Sequence, residues 1–401
     1  MGHPWVYDDE VQNISQLGKH DPGTIVDLAA PDGAPLGVGV LNRQASIVVR
    51  RLGGLDSGAE VTQELLRQRL RAAFAERERR CAGGGDGVSA EYCRAVNGEQ
   101  DGLPGMFVDR FGSAAVATFE SVGSARLEFL VQEELTRWMG KLRFLAVHRM
   151  VAAKEKWAQQ GQEFTTDVTR GDGSRVVVLD RSCSFEIDVH HGPAGHWCYG
   201  LEALRQELVG QLAMGGTVLD AWSHVGQWGV RCAKAGAQEV VLLDDSLSLA
   251  KVCQDNVVRN GVEAQSTVLH RGSVHDELRN MTASGIRFDC VALNVRVKFE
   301  RYFKQRHGQF GRWTKPSLKG YATAISLGAR ITGRGGYLVV AFVLPLAGEH
   351  FAASLLQDGL ERASRTGSIV FHASGVDENS ALASSAMDDL WVPVLLCARL
   401  N

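Results

Sequence analysis

The chain has 401 residues, 45% of them hydrophobic and 22% charged, with a formal net charge of −3. That length exceeds one ordinary domain, and the composition is that of a globular protein with room for real cores. A bulk polycation is excluded, so any nucleic-acid contact must come from local patches. No apolar run reaches the roughly 18–20 residues a membrane-spanning helix needs, and the opening MGHPWVYDDE reads as neither a signal nor a transit peptide. The eight cysteines, at 81, 93, 183, 198, 232, 253, 290 and 397, form no CxxC and no Cys/His ligand spacing. Reduced packing thiols and no metal site are expected.

Taken in order, alternating runs at Thr24–Leu28, Leu36–Leu41 and Ser46–Leu52, parted by PDG and NRQ turns, predict a small β-barrel over residues 1–54. Thr62–Arg80 turns helical, with Leu65, Leu66, Leu70, Ala73 and Phe74 on one face and many arginines around it. The glycine-rich CAGGGDGVSA, Cys81–Ala90, is a loop. A strand at Gly112–Glu120, a helix at Ser124–Met139, a strand at Phe144–His148 and a hairpin at Ser174–Asp188 make an α+β middle domain over 61–188. From 189 to 401 helices and strands alternate. The helices are Leu201–Leu212, Val230–Lys234, Leu247–Asn260 and Tyr321–Ile331; the strands are Val218–Asp220, Glu239–Asp244, Ser266–His270, Phe288–Asn294 and Tyr337–Phe342. Such alternation predicts a Rossmann-like, mostly parallel sheet with helices on both faces.

The stretch GGTVLDAWSHVGQWGV, Gly215–Val230, is the candidate cofactor turn. An apolar strand ends on Asp220, and Gly226 would let the backbone approach a ligand ahead of a helix N-terminus. The next strand ends on Asp244, where an acid can accept both hydroxyls of a ribose; the two acids lie 24 residues apart. The pattern is not G-x-G-x-x-G, which counts against NAD and suits S-adenosylmethionine. A scaffold that keeps this turn for packing alone is the competing reading. Trp222, His224 and Trp228 add bulk that such turns normally lack.

The run VLDAWSHVGQWGVRCAKAGAQEVVLLDDSLSLAKVCQDNVVRNGV resembles the first half of the methyltransferase domain in bacterial 23S rRNA cytosine-5 methyltransferases of the RlmI type. VNGEQDGLPGMFVDRFG, Val96–Gly112, is similar to that family's segment ahead of the methyltransferase domain. GHPWVYDDEV with PGTIVDLAAPDGAPLGVGVLNRQASIVVRRL resembles its N-terminal PUA domain. The resemblance implies a PUA-like barrel, a middle domain and a class I methyltransferase domain, with S-adenosylmethionine as cofactor and ribosomal RNA as partner. It also implies a cysteine thiolate that attacks carbon 6 of cytosine, assisted by an acid near the base.

At the catalytic positions the sequence departs from that pattern. Asn294, Val295 and Arg296 stand where the family has Asp-Pro-Pro, and GGYLVVAFVLPLAG holds no cysteine between Gly335 and Gly348. Tyr199, Gly200 and Leu201 replace an Asp-Gln-Arg segment, and Ser273 replaces the acid expected beside the adenine. Neither Cys290, inside a strand, nor Cys198, in the altered segment, is expected to substitute. Cofactor binding is therefore expected to be weak or lost, with Asp220, Gly226, Asp244 and Ser273 marking the remnant pocket.

What remains is RNA-binding surface. RVKFERYFKQRHGQFGRWTKPSLK, Arg296–Lys319, carries eight Lys or Arg against one Glu, interleaved with aromatics. Basic groups neutralise phosphate and aromatics stack on unpaired bases. Arg296, Lys298, Arg301, Lys304 and Trp313 are the candidate contacts there, with Arg43, Arg50 and Arg51 on the barrel. A solvated amphipathic lid is the plainer alternative. The expectation is a non-catalytic RNA-binding protein of ribosome structure or assembly, in the cytoplasm of a bacterium or an organellar ribosome of a eukaryote. An active methyltransferase with displaced catalytic groups is the alternative.

Overall fold

The computed structural model describes residues 4–8, 10–43, 47–82, 89–150, 164–191, 197, 199, 209, 214–294, 315–345, 349–374 and 391–401. Two compact units emerge, the first built mainly from Met1–Val176, the second mainly from Val177–Asp188, Ala194–Lys298 and Trp313–Asn401.

The first unit opens with β1 (Trp5–Tyr7), β2 (Ile25–Ala29), β3 (Pro35–Leu41) and β4 (Ile47–Arg51). They form an antiparallel sheet in the order β1-β4-β3-β2, closed on one face by Leu41, Val48 and Val49. Helix α1 (Gln63–Ala82) follows and buries Leu66, Leu70, Ala73 and Phe74, the apolar face read from the sequence. A second sheet holds β5 (Tyr92–Asn97), β6 (Met106–Phe111), β7 (Ala114–Phe119), β8 (Phe144–Met150) and β9 (Phe164–Arg170) in that order. Its pairs are antiparallel except β7 with β8. A parallel pair needs a crossover, here supplied by α2 (Val122–Ala125) and α3 (Glu128–Met139). The single helix expected over 124–139 is thus two, the first started by a capping box between Ser121 and Ser124. Between α1 and α3, Phe74 stacks on Trp138 with ring centroids 4.3 Å apart. Such a pair is worth about 0.5–1.5 kcal/mol beyond its area.

In the second unit, β10 (Arg175–Asp180) and β11 (Cys183–Asp188) make the expected hairpin, buried and exposed residues alternating along β10. The main sheet follows. Its elements are β12 (Thr217–Ala221), α4 (Gly229–Lys234), β13 (Glu239–Asp244), α5 (Leu247–Arg259), β14 (Ser266–His270), α6 (Val274–Ala283) and β15 (Phe288–Leu293), then α7 (Lys315–Ile331), β16 (Thr332–Pro345), α8 (Glu349–Arg362), β17 (Gly367–Ser374) and β18 (Trp391–Leu400). The order is β14-β13-β12-β15-β16-β18-β17. The first five strands are parallel, and β18 runs antiparallel between β16 and β17. Strands β12, β13 and β15 are buried almost throughout, as strands covered on both faces must be. Leu219, Val291, Leu338 and Val340 of the sheet pack with Leu278, Ile325 and Leu356 of the helices. The helix expected at Leu201–Leu212 lies outside the described residues apart from Val209. No helix among the described residues is long and apolar enough to cross a membrane.

Candidate functional site

Strand β12 has β13 on one side and β15 on the other, so successive crossovers leave it in opposite directions. In open α/β sheets that reversal opens a crevice beyond the carboxyl ends of the strands, where ligands bind. Three residues singled out from the sequence meet there: Asp220, Asp244 and Asn294.

Asp220 is fully buried, and both of its carboxylate oxygens are taken. Oδ2 accepts the Gly229 N–H at 2.9 Å, and Oδ1 accepts the Asn294 side-chain amide at 2.9 Å. The Asn294 backbone N–H also bonds the carbonyl of Ala221, at 3.0 Å. One carboxylate therefore ties together the end of β12, the start of α4 and the end of β15. It acts as an internal clamp.

The turn it holds is unusual in its backbone. Trp222 and His224 adopt left-handed conformations, φ 56° and 61°, each costing a non-glycine residue about 1–3 kcal/mol. Hydrogen bonds over-determine the path: the Ser223 N–H reaches the Leu243 carbonyl at 3.0 Å, and Asn256 donates to the Val225 carbonyl at 2.9 Å. Gly226 sits at φ 88°, and a Cβ there would lie 3.0 Å from Cys253 Sγ and 3.1 Å from Val230 Cγ2. The space over this glycine is thus filled by the protein's own side chains, and close packing of the turn on α5 requires it. The bulk foreseen in the turn also points inward: Trp222 and Trp228 are buried. Trp222 joins the main core and meets His275 of α6 edge-on, ring centroids 5.0 Å apart.

Asp244, at the end of β13, is 4% exposed. Its Oδ2 accepts the His224 N–H at 2.9 Å and its Oδ1 the Ser246 N–H at 2.8 Å. Burial raises its pKa to about 6, against the opposing pull of the Ser246 N–H. The Asp245 N–H is a further donor to this carboxylate, and what acceptor capacity is left has the chemistry a ribose hydroxyl needs. Ser273, where the resemblance implies an acid beside the adenine, caps α6, its hydroxyl accepting the Asp276 N–H at 3.2 Å. On the turn itself, Nε2 of Gln227 and Nε1 of Trp228 are buried without a hydrogen-bond partner among the described residues, and such donors suit a ligand that brings acceptors.

The described thiols of this unit, Cys183, Cys232, Cys253, Cys290 and Cys397, are all buried. Burial pushes Cys232 and Cys397 up to about 12 and raises Cys253 and Cys290 well above the ordinary thiol value, and only a thiolate attacks. Cys198 lies outside the described residues, as do Gly200, Leu201, and the basic candidates Arg296, Lys298, Arg301, Lys304 and Trp313. On the first unit, Arg50 is buried, its guanidinium 2.6 Å from Glu99 Oε1 and above the Trp5 ring. Arg51 donates to the Leu36 carbonyl at 2.6 Å, and Arg43 is exposed.

Two anchors were not singled out in the sequence. Asn256 and Asn260, four apart on α5, dock β11 by bonding both backbone groups of Glu186 and of Ser184; that spacing was the available signal. Arg231 of α4 is buried beside Asp180 and over the rings of Phe185 and Trp197, and burial lowers its pKa to about 9.

Comparison with known proteins agrees with this architecture. A PUA-like domain family model matches residues 1–53. The ribosomal RNA large subunit methyltransferase I of Shewanella denitrificans is 24% identical over 84% of this chain and 80% of its own length. That of Aeromonas salmonicida is 24% identical over 92% and 88%. Among solved structures, a Streptococcus mutans protein described as a SAM-dependent methyltransferase superposes with a TM-score of 0.74 over 98% of this chain and 95% of its own, at 12% identity. A methyltransferase structure complexed with SAH gives 0.75 over 99% and 96%, also at 12% identity. A PUA-like domain followed by a SAM-methyltransferase fold, the chain is a homologue of the ribosomal RNA large subunit methyltransferase I proteins over most of its length.

Proposed function

We propose that this chain binds ribosomal RNA on a methyltransferase scaffold without transferring a methyl group, in the structure or assembly of a bacterial ribosome. The observation that carries this reading is the 2.9 Å hydrogen bond from Asn294 to Asp220. The resemblance to the family implies a catalytic acid at position 294; here an amide stands there and is turned inward to a buried carboxylate. The raised thiol pKa values around the sheet support the same conclusion.

S-adenosylmethionine fits the pocket in part. Asp244 suits its ribose, and Gln227 and Trp228 offer donors to an acceptor group, while the adenine end lacks an acid. A missing charge-assisted hydrogen bond removes about 1.5–3 kcal/mol, roughly ten- to a hundred-fold in affinity. Calorimetric titration should therefore give a dissociation constant weaker than micromolar, and a methyl-transfer assay on ribosomal RNA should give no product. A micromolar or tighter constant together with methyl transfer would overturn the proposal. It would establish the second reading, an active methyltransferase, which the retained Asp244 favours.

RNA affinity is assigned to the basic, aromatic segment after β15. Replacing Arg296, Lys298, Arg301 and Lys304 with alanine should weaken ribosomal RNA binding and flatten its salt dependence, by up to about 0.7–0.9 log–log units for each phosphate no longer neutralised. Trp313→Ala should cost about 1–3 kcal/mol with little change in that slope. Parent-like binding by both variants would reduce the segment to a solvated lid.

A further inference from the structure

In the first unit a cavity of about 230 Å³ opens beside the contact between β3 and α2. Two glycines create that contact: a Cβ on Gly123 would lie 2.6 Å from Val40 Cγ1 and 3.1 Å from the Gly23 Cα. The floor is apolar, formed by Leu52, Leu66, Leu103 and Met106, all nearly fully buried. Ile25, 39% exposed, stands at the opening. The rim carries two polar side chains, Gln63 and Arg126, both exposed.

Arg126 differs from its neighbours. Arg50, Arg67, Arg71 and Arg77 are each ion-paired, and Arg69 donates to the carbonyls of Gly102 and Gly53. The Arg126 guanidinium, whose Nη1 would lie 3.2 Å from a Cβ on Gly23, has no ion pair or side-chain hydrogen bond among the described residues. The Gln63 amide is likewise open. An apolar slot of this size is smaller than the usual ~300–1,000 Å³ ligand pocket and suits one planar ring. A guanidinium at its edge matches a phosphate bidentately, and a primary amide can both donate to and accept from a base edge.

We propose that this cavity holds one unpaired nucleobase of the RNA, with an adjoining phosphate on Arg126 and the base edge on Gln63. The inference rests on the RNA-binding reading above and adds that the first unit selects single-stranded over duplex RNA. A base inside a duplex cannot enter, because its faces and its pairing edge are already covered.

Fluorescence anisotropy on the full chain tests it, with ribosomal RNA, a short single-stranded RNA and the same oligomer annealed to its complement. The parent should bind the single strand at least about tenfold more tightly than the duplex. Arg126→Ala should weaken single-strand binding about tenfold and lower the salt slope by about 0.7. Ile25→Trp, which fills the opening from a solvent-exposed position, should weaken it similarly without changing the slope. If the parent binds ribosomal RNA and both variants match it on every RNA, the slot is wrong and the RNA-binding reading stands. If the parent binds none of these RNAs, that reading fails and the slot falls with it. If oleate binds in an Arg126-dependent way and does not compete with single-stranded RNA, the cavity is an acyl site, which also overturns the proposal.

Discussion

The buried acids of the first unit and the strand-end acids of the second have different partners. In the first, carboxylates neutralise arginines: Glu134 meets Arg67, Arg71 and Arg137, Glu99 meets Arg50, Asp109 meets Arg94, and Asp101 meets Arg77. In the second, the acids at the strand ends hold backbone N–H groups: Asp220 that of Gly229, Asp244 those of His224 and Ser246, Asp289 that of Thr217. An arginine-rich sequence therefore leaves few open cations among the described residues of the first unit. An acid in the ligand position of the second can be occupied by the turn it supports. Charge read along a chain says little until its partners are known.

Three experiments press on that contrast, the largest effect first. Asn294→Asp sets a second carboxylate against the buried Asp220, and an uncompensated buried charge of this kind costs about 3–5 kcal/mol. Pairing it with Asp220→Asn reverses the roles, since the new amide can accept from Gly229 and donate to residue 294. Denaturant unfolding should show most of the stability restored in the double variant. A single variant as stable as the parent would mean that Asp220 is no clamp.

Next comes the pH dependence of Asp244. Its folded pKa, about 6, is raised above the ordinary carboxylate value, so its contribution is full below about pH 4 and is lost as the pH rises through 6. Over that window the parent should lose about 2–3 kcal/mol of stability from this group. Asp244→Asn should remove that slope, whatever its absolute stability. The smallest effect belongs to Glu134→Gln. Three arginines hold the Glu134 carboxyl down to about 2, Arg71 foremost. Its contribution is present above about pH 4 and lost as the pH falls toward 2. Because Arg71 and Arg137 are about half exposed and stay hydrated, the expected loss at neutral pH is only about 1–2 kcal/mol. Melting curves of parent and variant should converge in acid.

Much of the second unit was legible because its strands are short, continuous and apolar. Ser266–His270 and Glu239–Asp244 fall where the pattern puts them. The C-terminal strands were not foreseen: β17 leaves Ile369 and Val370 exposed, as a strand on the sheet's edge can, and Pro393 interrupts the strand signal of β18. Helix α6 was missed because its apolar residues Val274, Leu278 and Met281 are few, although Ser273 ahead of Asp276 and Glu277 is a capping signal. At the site, composition located Asp220 and Asp244 as strand-end acids. It could not reveal that Asn294, 74 positions later, completes the first of them. Nor could it tell that Arg50 is buried while Arg126 is open. Those are facts of tertiary contact, and no local pattern encodes them.

The position of β18 between β16 and β17 makes this edge of the sheet depend on the strand that comes last of the three in the chain. Residues far apart in sequence must meet, Tyr337 of β16 opposite Arg399, and β18 is the strand on which β17 pairs, Gly367 opposite Leu400. Contacts of such long range are slow to form, so this edge of the sheet should close late in folding. Until then β16 and β17 both present open backbone and apolar side chains, the condition under which strands of different molecules join. Chains interrupted before Trp391 should therefore be recovered as aggregates, because β18 is the strand that covers the open backbone of both neighbours.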